Sequence, residues 1–171
     1  EAAMEIEEVD VVLWDWILFL AAIISFGAPQ YPNLQPVIQY DLDEIIVGVG
    51  GKHIIYNAMM ATINPNDEVI IPAPFWVSYP DIVLLAEGKP VIVQCPESQN
   101  FKITADQLEK NITDKTKWLM LNSPSNPTGS LYSKHELKQL ADVLLGYPNV
   151  LVMSDDIYEK VIYDNLEFAT I

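Results

Sequence analysis

Arginine is absent from the 171-residue sequence, and its nine basic residues are all lysines, set against 24 acidic residues. The net charge of -15 argues against a nucleic-acid-binding protein, because phosphate backbones are held by basic surfaces. Small anionic substrates also lack their usual bidentate partner, since the guanidinium group is the side chain that offers a planar fork of donors. The composition therefore argues against nucleic-acid binding, and it leaves a small anionic substrate without an arginine partner in this sequence.

Cysteine and long apolar runs are also scarce. Cys95 is the single thiol, which excludes a disulfide framework and is typical of a reducing compartment, so we expect a cytoplasmic protein. The longest apolar run, residues 11–24, is interrupted by Asp15 and is too short to span a bilayer comfortably. The segment before it is acidic, which is wrong for a signal peptide. We interpret the run as a buried helix and expect no membrane association.

The sequence does contain a regular alternation of short apolar runs, which predict buried strands, with helical patterns. This alternation indicates an α/β protein with a mainly parallel sheet between helical layers, a three-layer sandwich. Predicted strands cover residues 44–50, 68–74, 89–95, 116–122 and 150–156; predicted helices cover 51–63, 76–88 ending at Gly88, 104–112 beginning at Thr104, and 133–147. Residues 1–43 do not follow the alternation and are predicted to form a separate N-terminal arm, which leaves 44–171 as the domain.

Ligands of open α/β sheets bind beyond the carboxyl ends of the strands. Four segments directly follow predicted strands: Gly50–Lys52, Pro74–Trp76, Asn122–Gly129 and Asp155–Asp156. We expect them to converge on one edge of the sheet and to form a site there.

Two of these segments have a structural interpretation beside a functional one. Gly50 and Gly51 could present backbone N–H groups to a phosphate at a helix N-terminus, or simply allow a tight turn. The segment does not match the dinucleotide fingerprint, because His53 replaces the third glycine, and it does not match the Walker pattern. Trp76 could stack on a planar ligand, although such a tryptophan is more often part of the core.

Asp155 demands a partner, because a carboxylate at the end of a buried strand is costly unless it is paired. A cationic ring nitrogen, a metal ion or the N-terminus of a following helix would each satisfy it. Tyr158, three residues further on, belongs either to the same site or to the packing. A magnesium-dependent phosphotransfer site that uses Asp155 and Asp156 is a further alternative.

Three stretches, taken together and in order, resemble the aspartate-aminotransferase-like enzymes of fold type I, which use pyridoxal 5′-phosphate (PLP). They are GVGGKHIIYNAMMATINPNDEVIIPAPFWVSYPDIVLLAEGKPVIV, NSPSNPTG and SDDIYEKVIYD. The resemblance covers roughly residues 44–164 and implies an incomplete PLP-binding large domain. The implied reaction transfers an amino group between an amino acid, with aspartate as the default, and a 2-oxo acid such as 2-oxoglutarate. Full-length members are homodimers.

The resemblance also implies how the first two strand-end segments would bind the cofactor. The backbone N–H groups of Gly51 and Lys52, with Gly50 beside them, would hold the PLP phosphate. Trp76 would stack on the pyridine ring.

The remaining two segments would contact the polar atoms of that ring. Asn126 and Tyr158 would hydrogen-bond the phenolic oxygen. Asp155 would pair with the pyridinium nitrogen and keep it protonated. No metal ion is implied, and Asp156 stands where the family has glutamate.

The sequence departs from the family at its most reactive positions. The family's Schiff-base lysine and the arginine for the substrate α-carboxylate both lie beyond the SDDIYE match, and the chain ends at Ile171 before either. We therefore assign no catalytic residue and expect a truncated aminotransferase chain that is inactive alone. The alternative is a non-catalytic remnant or interaction module with the aminotransferase fold. Residues 1–43 match the family poorly.

Overall fold

The computed structural model describes residues 46–171 of the chain. Its helices and strands alternate as α1 (Gly51–Thr62), β1 (Glu68–Ala73), α2 (Ser78–Leu85), β2 (Lys89–Gln94), α3 (Ala105–Asn111), β3 (Thr116–Asn122), α4 (Lys134–Leu144) and β4 (Leu151–Asp155). The sheet has the order β2-β1-β3-β4, and all three strand pairs are parallel. The predicted α/β class and the parallel sheet are confirmed.

The side chains of the central strands alternate between two apolar cores, one on each face of the sheet. On β1, Val69 and Ile71 pack beneath α1 and α2, whereas Ile70 packs against the layer formed by α3 and α4. The helices contribute buried residues to the same cores: Ile55, Ala58 and Met59 from α1, Tyr79, Ile82 and Val83 from α2, Leu108 from α3, and Leu137, Leu140 and Leu144 from α4. Burial of each large apolar side chain stabilises the fold by about 1.5–3 kcal/mol. The three-layer arrangement predicted from the alternation is therefore present.

Two helices begin where local sequence signals place them. The Thr104 hydroxyl accepts the N–H of Gln107 ahead of α3, and the Ser133 hydroxyl accepts the N–H of Glu136 ahead of α4. In both cases the side chain of the later residue returns to the backbone N–H of the first, which completes a capping box. The predicted N-cap at Thr104 is confirmed.

Helix α2 is shorter than predicted and ends by a different device. The left-handed residue that terminates it is Glu87 (φ 63°), and the N–H groups of Glu87 and Gly88 donate to the carbonyls of Leu84 and Val83. Gly88 is required for space, because an added Cβ would lie 2.9 Å from Cγ2 of Ile63. The predicted stop at Gly88 is therefore wrong by one residue: Glu87 ends the helix, and Gly88 lets the chain pass close to the core.

The predicted strand over residues 44–50 is wrong where the structure describes it. Residues 46–50 contain no strand beyond an isolated bridge at Val47, and the side chains of Ile46, Val47 and Val49 are 63%, 70% and 79% exposed. The apolar residues do not enter the sheet; Gly48 is the buried residue here, placed against Ile54. Apolar composition without a partner strand was therefore misleading.

Several expectations fall outside the described residues. The N-terminal arm of residues 1–43 and the apolar run 11–24 are among them, so the predicted division at residue 43 stays a prediction. Between residues 46 and 171, no helix has the length and apolar character needed to cross a membrane.

Candidate functional site

A cleft of about 350 Å³ opens at the carboxyl edge of the sheet. Its walls come from the segment before α1, the start of α2, the loop after β3 and the end of β4. All seven residues that sequence analysis selected line it, namely Gly50, Gly51, Lys52, Trp76, Asn126, Asp155 and Tyr158, together with Val49, Ile55, Tyr79, Asn122 and Ile157. The expected convergence of the strand-end segments is therefore observed, whereas the roles given to the individual residues remain predictions.

The first wall of the cleft is the N-terminus of α1. Gly50 occupies the N-cap with φ 103° and ψ 157°, a conformation that residues with a Cβ rarely adopt. No side chain caps this end, and its first turn contains no acidic residue. The N–H groups of Gly51 and Lys52 stand at the start of the helix, where they have no carbonyl of a preceding turn to bind. This end of the cleft carries the positive pole of the helix dipole.

Trp76 forms a second wall of the cleft, and its predicted stacking on a ligand stays a prediction. The half-buried indole packs against the core beneath α1 and α2 and also lines the cleft. Its ring meets that of Tyr79 edge to face, with centroids 5.4 Å apart and an interplanar angle of 85°. The ammonium group of Lys52 lies 5.0 Å from the centroid of the indole. The contact with Tyr79 therefore orients the indole, and the ammonium group of Lys52 lies within cation–π distance of it.

The floor of the cleft holds the half-buried carboxylate of Asp155, the last residue of β4. Its Oδ2 accepts the hydroxyl of Tyr79 at 2.6 Å, and its Oδ1 accepts the N–H of Ile157 at 3.3 Å. No helix follows it in the described part of the chain, so the N-cap alternative is wrong. Both recorded donors are neutral, which leaves the charge of the carboxylate uncompensated.

Tyr79 acts as a fixed donor to this carboxylate. Burial, followed by the neighbouring charge of Asp155, raises the pKa of the Tyr79 phenol well above its ordinary value. The hydroxyl therefore keeps its proton throughout the physiological range and can donate but not compete for a cation. Sequence analysis missed Tyr79, because it lies 76 residues from Asp155 and reads as an apolar helix position.

The loop after β3 presents Asn126 to the cleft. Gly129 (φ 71°) allows the loop to close, and its N–H donates to the carbonyl of Ser125 at 2.7 Å. The side chain of Asn122 accepts the N–H of Asn126 at 2.7 Å and donates to the carbonyl of Asp155 at 2.7 Å. Asn122 also lines the cleft, and sequence analysis gave it no role. Its position at a strand end, four residues before Asn126, was the available signal.

Asp156 turns away from the cleft. Its two carboxylate oxygens accept the hydroxyls of Ser154 and Thr170, each at 2.7 Å. Burial raises the pKa of this carboxyl above its ordinary value. A magnesium site that needs Asp155 and Asp156 side by side does not fit, because the two side chains bind different partners. Across residues 46–171, no three His, Cys, Asp or Glu side chains cluster as metal ligands would.

A protein-family comparison adds to this geometry. Residues 20–171 match the family model described as aminotransferase class I and II. The chain belongs to this family. The resemblance drawn from GVGGKH, NSPSNPTG and SDDIYE is thereby confirmed.

Curated aminotransferases show how much of the family's length is represented. A probable aspartate/prephenate aminotransferase of Rickettsia bellii is 60% identical over 134 residues, which are 78% of this chain and 34% of that protein. An aspartate/prephenate aminotransferase of Cereibacter sphaeroides is 54% identical over 133 residues, 78% of this chain and 33% of that protein. The chain therefore spans about a third of the length of the curated relatives it matches.

Solved aminotransferase structures share the fold. The aspartate aminotransferase of Rhizobium meliloti superimposes with a TM-score of 0.77 at 51% identity, over 78% of this chain and 33% of that one. An aromatic aminotransferase of Pyrococcus horikoshii superimposes with a TM-score of 0.67 at 39% identity, over 70% and 32% of the two chains. The fold of this chain is thus that of the fold type I aminotransferases.

Proposed function

We propose that this chain forms the PLP-binding part of an aminotransferase site that acts on aspartate and a 2-oxo acid. One observation carries the proposal: the half-buried Asp155 carboxylate lies at the floor of an open cleft with neutral donors as its recorded partners. A desolvated carboxylate of this kind favours a cation beside it. The protonated nitrogen of a pyridine ring is such a cation.

The other walls of the cleft fit the remaining parts of PLP. The N-terminus of α1, without an acidic residue in its first turn, suits the phosphate through the N–H groups of Gly51 and Lys52. The Trp76 indole offers a flat apolar face to the ring. The amide of Asn126 and the hydroxyl of Tyr158, both at the cleft wall, can donate to a phenolic oxygen.

Bound PLP supplies an electron sink for the electron pair left on the substrate Cα when its proton is removed. The residues of this chain prepare that sink. Asp155 holds a proton at the ring nitrogen, and Tyr79 holds the carboxylate in one orientation by donating to Oδ2. Asn126 stabilises negative charge on the phenolic oxygen, and Trp76 keeps water from one face of the ring.

The substrate assignment rests on the relatives, whose names give aspartate, alone or with prephenate, as their substrates. The shared segments are 50–60% identical over 133–134 residues, which are 78% of this chain. We extend the same assignment to the complete protein, together with the cytoplasmic location expected from its single cysteine and the homodimer that the resemblance implies. Amino-acid and 2-oxo-acid substrates are then its small-molecule partners.

The lysines favour a second candidate for the 171 residues by themselves. All nine lysines lie within the described range, and Lys52 is the one that lines the cleft. Its ammonium group lies by the indole of Trp76, near the phosphate end, and residue-by-residue comparison with the family gives it no Schiff-base role. On this basis the chain by itself would bind the cofactor without transferring amino groups, as the non-catalytic module considered above.

The test is a titration of the purified chain with PLP and with pyridoxal, which lacks the phosphate. We expect a melting temperature that rises and saturates with PLP, by the linkage between binding and stability, and a much smaller rise with pyridoxal. Absence of saturable PLP binding would overturn the proposal.

Borohydride reduction of the PLP-saturated chain, followed by intact mass measurement, separates the two candidates. Reduction converts a lysine Schiff base into a stable adduct. A chain that binds PLP but gains no stoichiometric adduct is the cofactor-binding module, whereas one adduct mapped to a single lysine identifies a catalytic nucleophile and contradicts the absence of one in this chain.

A further inference from the structure

One side chain, that of Asn122, links the loop after β3 to the end of β4 in the cleft. Asn122 ends β3 and is the register partner of Asp155, which ends β4. Its carboxamide accepts the N–H of Asn126 through Oδ1 and donates through Nδ2 to the carbonyl of Asp155, both at 2.7 Å. The planar carboxamide of Asn122 therefore joins the backbone of Asn126 to the backbone of Asp155. In the proposed site, Asn126 contacts the phenolic oxygen of PLP and Asp155 contacts its ring nitrogen.

The two hydrogen bonds constrain each other because donor and acceptor belong to the same rigid amide. The carbonyl of Asp155 also accepts the N–H of Ser123, the residue after β3, at 3.3 Å, so the end of β4 is held by the side chain of Asn122 and by the main chain that follows it. Tyr79 holds the carboxylate of the same aspartate. Asp155 is thus fixed at both its backbone and its side chain, and Asn126 is fixed to it through Asn122.

We infer that Asn122 is a positioning residue of the cofactor site, which sets the separation between the Asn126 amide and the Asp155 carboxylate to match the phenolic oxygen and the ring nitrogen of one pyridine ring. This inference rests on the function proposed above. Alanine at this position removes both links, whereas aspartate keeps an acceptor for the N–H of Asn126 but cannot donate to the carbonyl of Asp155.

Ser123 provides a matched structural control in the same loop. It is 3% exposed, its hydroxyl accepts the N–H of Tyr132 at 3.1 Å, and neither residue lines the cleft. Removal of that hydroxyl by Ser123→Ala costs a buried hydrogen bond and lowers the melting temperature without altering the cleft. A loss of stability alone is therefore distinguishable from a loss of positioning.

The test uses 4′-deoxypyridoxine 5′-phosphate, which lacks the aldehyde and so forms no adduct with lysines. Its affinity for the chain and the pH at which its bound phenol ionises are measured by absorbance for the wild type, Asn122→Ala, Asn122→Asp and Ser123→Ala. We expect Asn122→Ala to bind the probe roughly tenfold more weakly, since the loss of two part-buried hydrogen bonds changes affinity on that scale. Its bound phenol should ionise at a higher pH, because the Asn126 donor is no longer held in place.

The remaining variants decide between outcomes. Ser123→Ala should bind like the wild type. Asn122→Asp should bind more weakly than the wild type, because it cannot donate to the carbonyl of Asp155 and adds a negative charge beside the site. If Asn122→Ala fails to fold, Asn122→Asp carries the test, and wild-type affinity in that variant overturns the inference. Wild-type binding and titration in Asn122→Ala overturn it as well. A wild-type chain that does not bind the probe overturns the proposed function, and the inference with it.

Discussion

The two edges of the sheet each carry a carboxylate at a strand end, and they treat it in opposite ways. At the amino edge, Glu68 begins β1 with a side chain that is 9% exposed. It accepts the ammonium of Lys89 at 2.8 Å and the hydroxyl of Thr113 at 2.7 Å. At the carboxyl edge, Asp155 ends β4 facing a cleft, and across residues 46–171 no lysine or histidine forms a salt bridge with it.

This difference separates stability from function. The Glu68 cluster joins the starts of β1 and β2 to the turn before β3, and its carboxylate is paired with Lys89 within the protein. The Asp155 carboxylate is held in place by a neutral phenol, so its charge is available to a cation from outside the protein. The carboxyl edge, where Asp155 has no cationic partner within the described residues, is therefore the edge at which we expect a ligand to bind.

Among the variants that test the difference between the two carboxylates, Asp155→Asn should have the largest effect on PLP affinity. The neutral amide cannot hold a proton at the ring nitrogen, and a charge-assisted hydrogen bond contributes about 1.5–3 kcal/mol. PLP affinity, measured by titration, should fall by roughly 10- to 100-fold with little loss of thermal stability. Asp156→Asn is the control, since that neighbouring carboxylate faces Ser154 and Thr170; equal losses in both variants would contradict the assignment of Asp155.

Thr62→Val tests the amino edge, where Thr62 accepts the indole N–H of the fully buried Trp118 at 2.9 Å. Valine leaves that donor without a partner, and we expect the free energy of unfolding to fall by about 1–2 kcal/mol. Denaturant titration measures it. Thr62→Ser keeps the hydroxyl and should retain most of the stability, and PLP affinity should not change in either variant.

A smaller loss of stability, about 1 kcal/mol, is expected from Glu68→Gln at neutral pH, because the amide cannot pair with Lys89, whose own side chain is 66% exposed. Chemical denaturation should show this loss with PLP affinity unchanged. A change in affinity comparable to that of Asp155→Asn would remove the distinction between the two edges.

The same variant predicts a pH dependence with a definite sign. Hydrogen bonds from Lys89 and then Thr113 lower the pKa of the Glu68 carboxyl below its ordinary value of 4.5. A lowered folded-state pKa gives stability that is fully present above the unfolded-state pKa and is lost as pH falls through the folded-state pKa. The gap between wild type and Glu68→Gln should therefore be constant above pH 4.5 and close below it; a gap that widens in acid would contradict this pairing.

The smallest effect is expected from Tyr79→Phe. The ring remains in place beside Trp76, but Asp155 loses the donor that fixes its orientation, so PLP should bind about three- to fivefold more weakly. Tyr132→Phe is the matched control, because this second buried tyrosine accepts the N–H of Ile103 on the opposite face of the sheet. Equal affinities in both variants would show that the Tyr79 hydroxyl does not support the site.

Features of this chain that depend on local sequence were predictable. The capping boxes at Thr104 and Ser133 each involve only four consecutive residues, and apolar runs indicate the buried strands. The strand-end rule correctly predicted that Trp76, Asn126 and Asp155 lie at one edge of the sheet, whereas Gly50 lies there although the strand predicted before it is absent. Family resemblance supplied their roles, which geometry alone does not.

Features that depend on distant contacts were not predictable in the same way. Tyr79 and Asn122 hydrogen-bond Asp155 from 76 and 33 residues away. The strand-end position of Asn122 marks it as a candidate for the site but does not identify this contact. The strand predicted over residues 44–50 was wrong for the converse reason. Its apolar residues suggested burial, which only a neighbouring strand could provide. Tertiary partners, rather than propensity, decided all three.

The position of β4 in the sheet has a consequence for how the site would respond to its ligand. Among the described residues β4 pairs with β3 alone, so backbone groups on its other side are not held by a second strand. The outer strands of a sheet open more readily than its central strands, and their amides exchange hydrogen for deuterium sooner. The strand that presents Asp155 is therefore the one whose exchange should slow most when PLP binds, and local ordering of β4 would form part of the measured affinity.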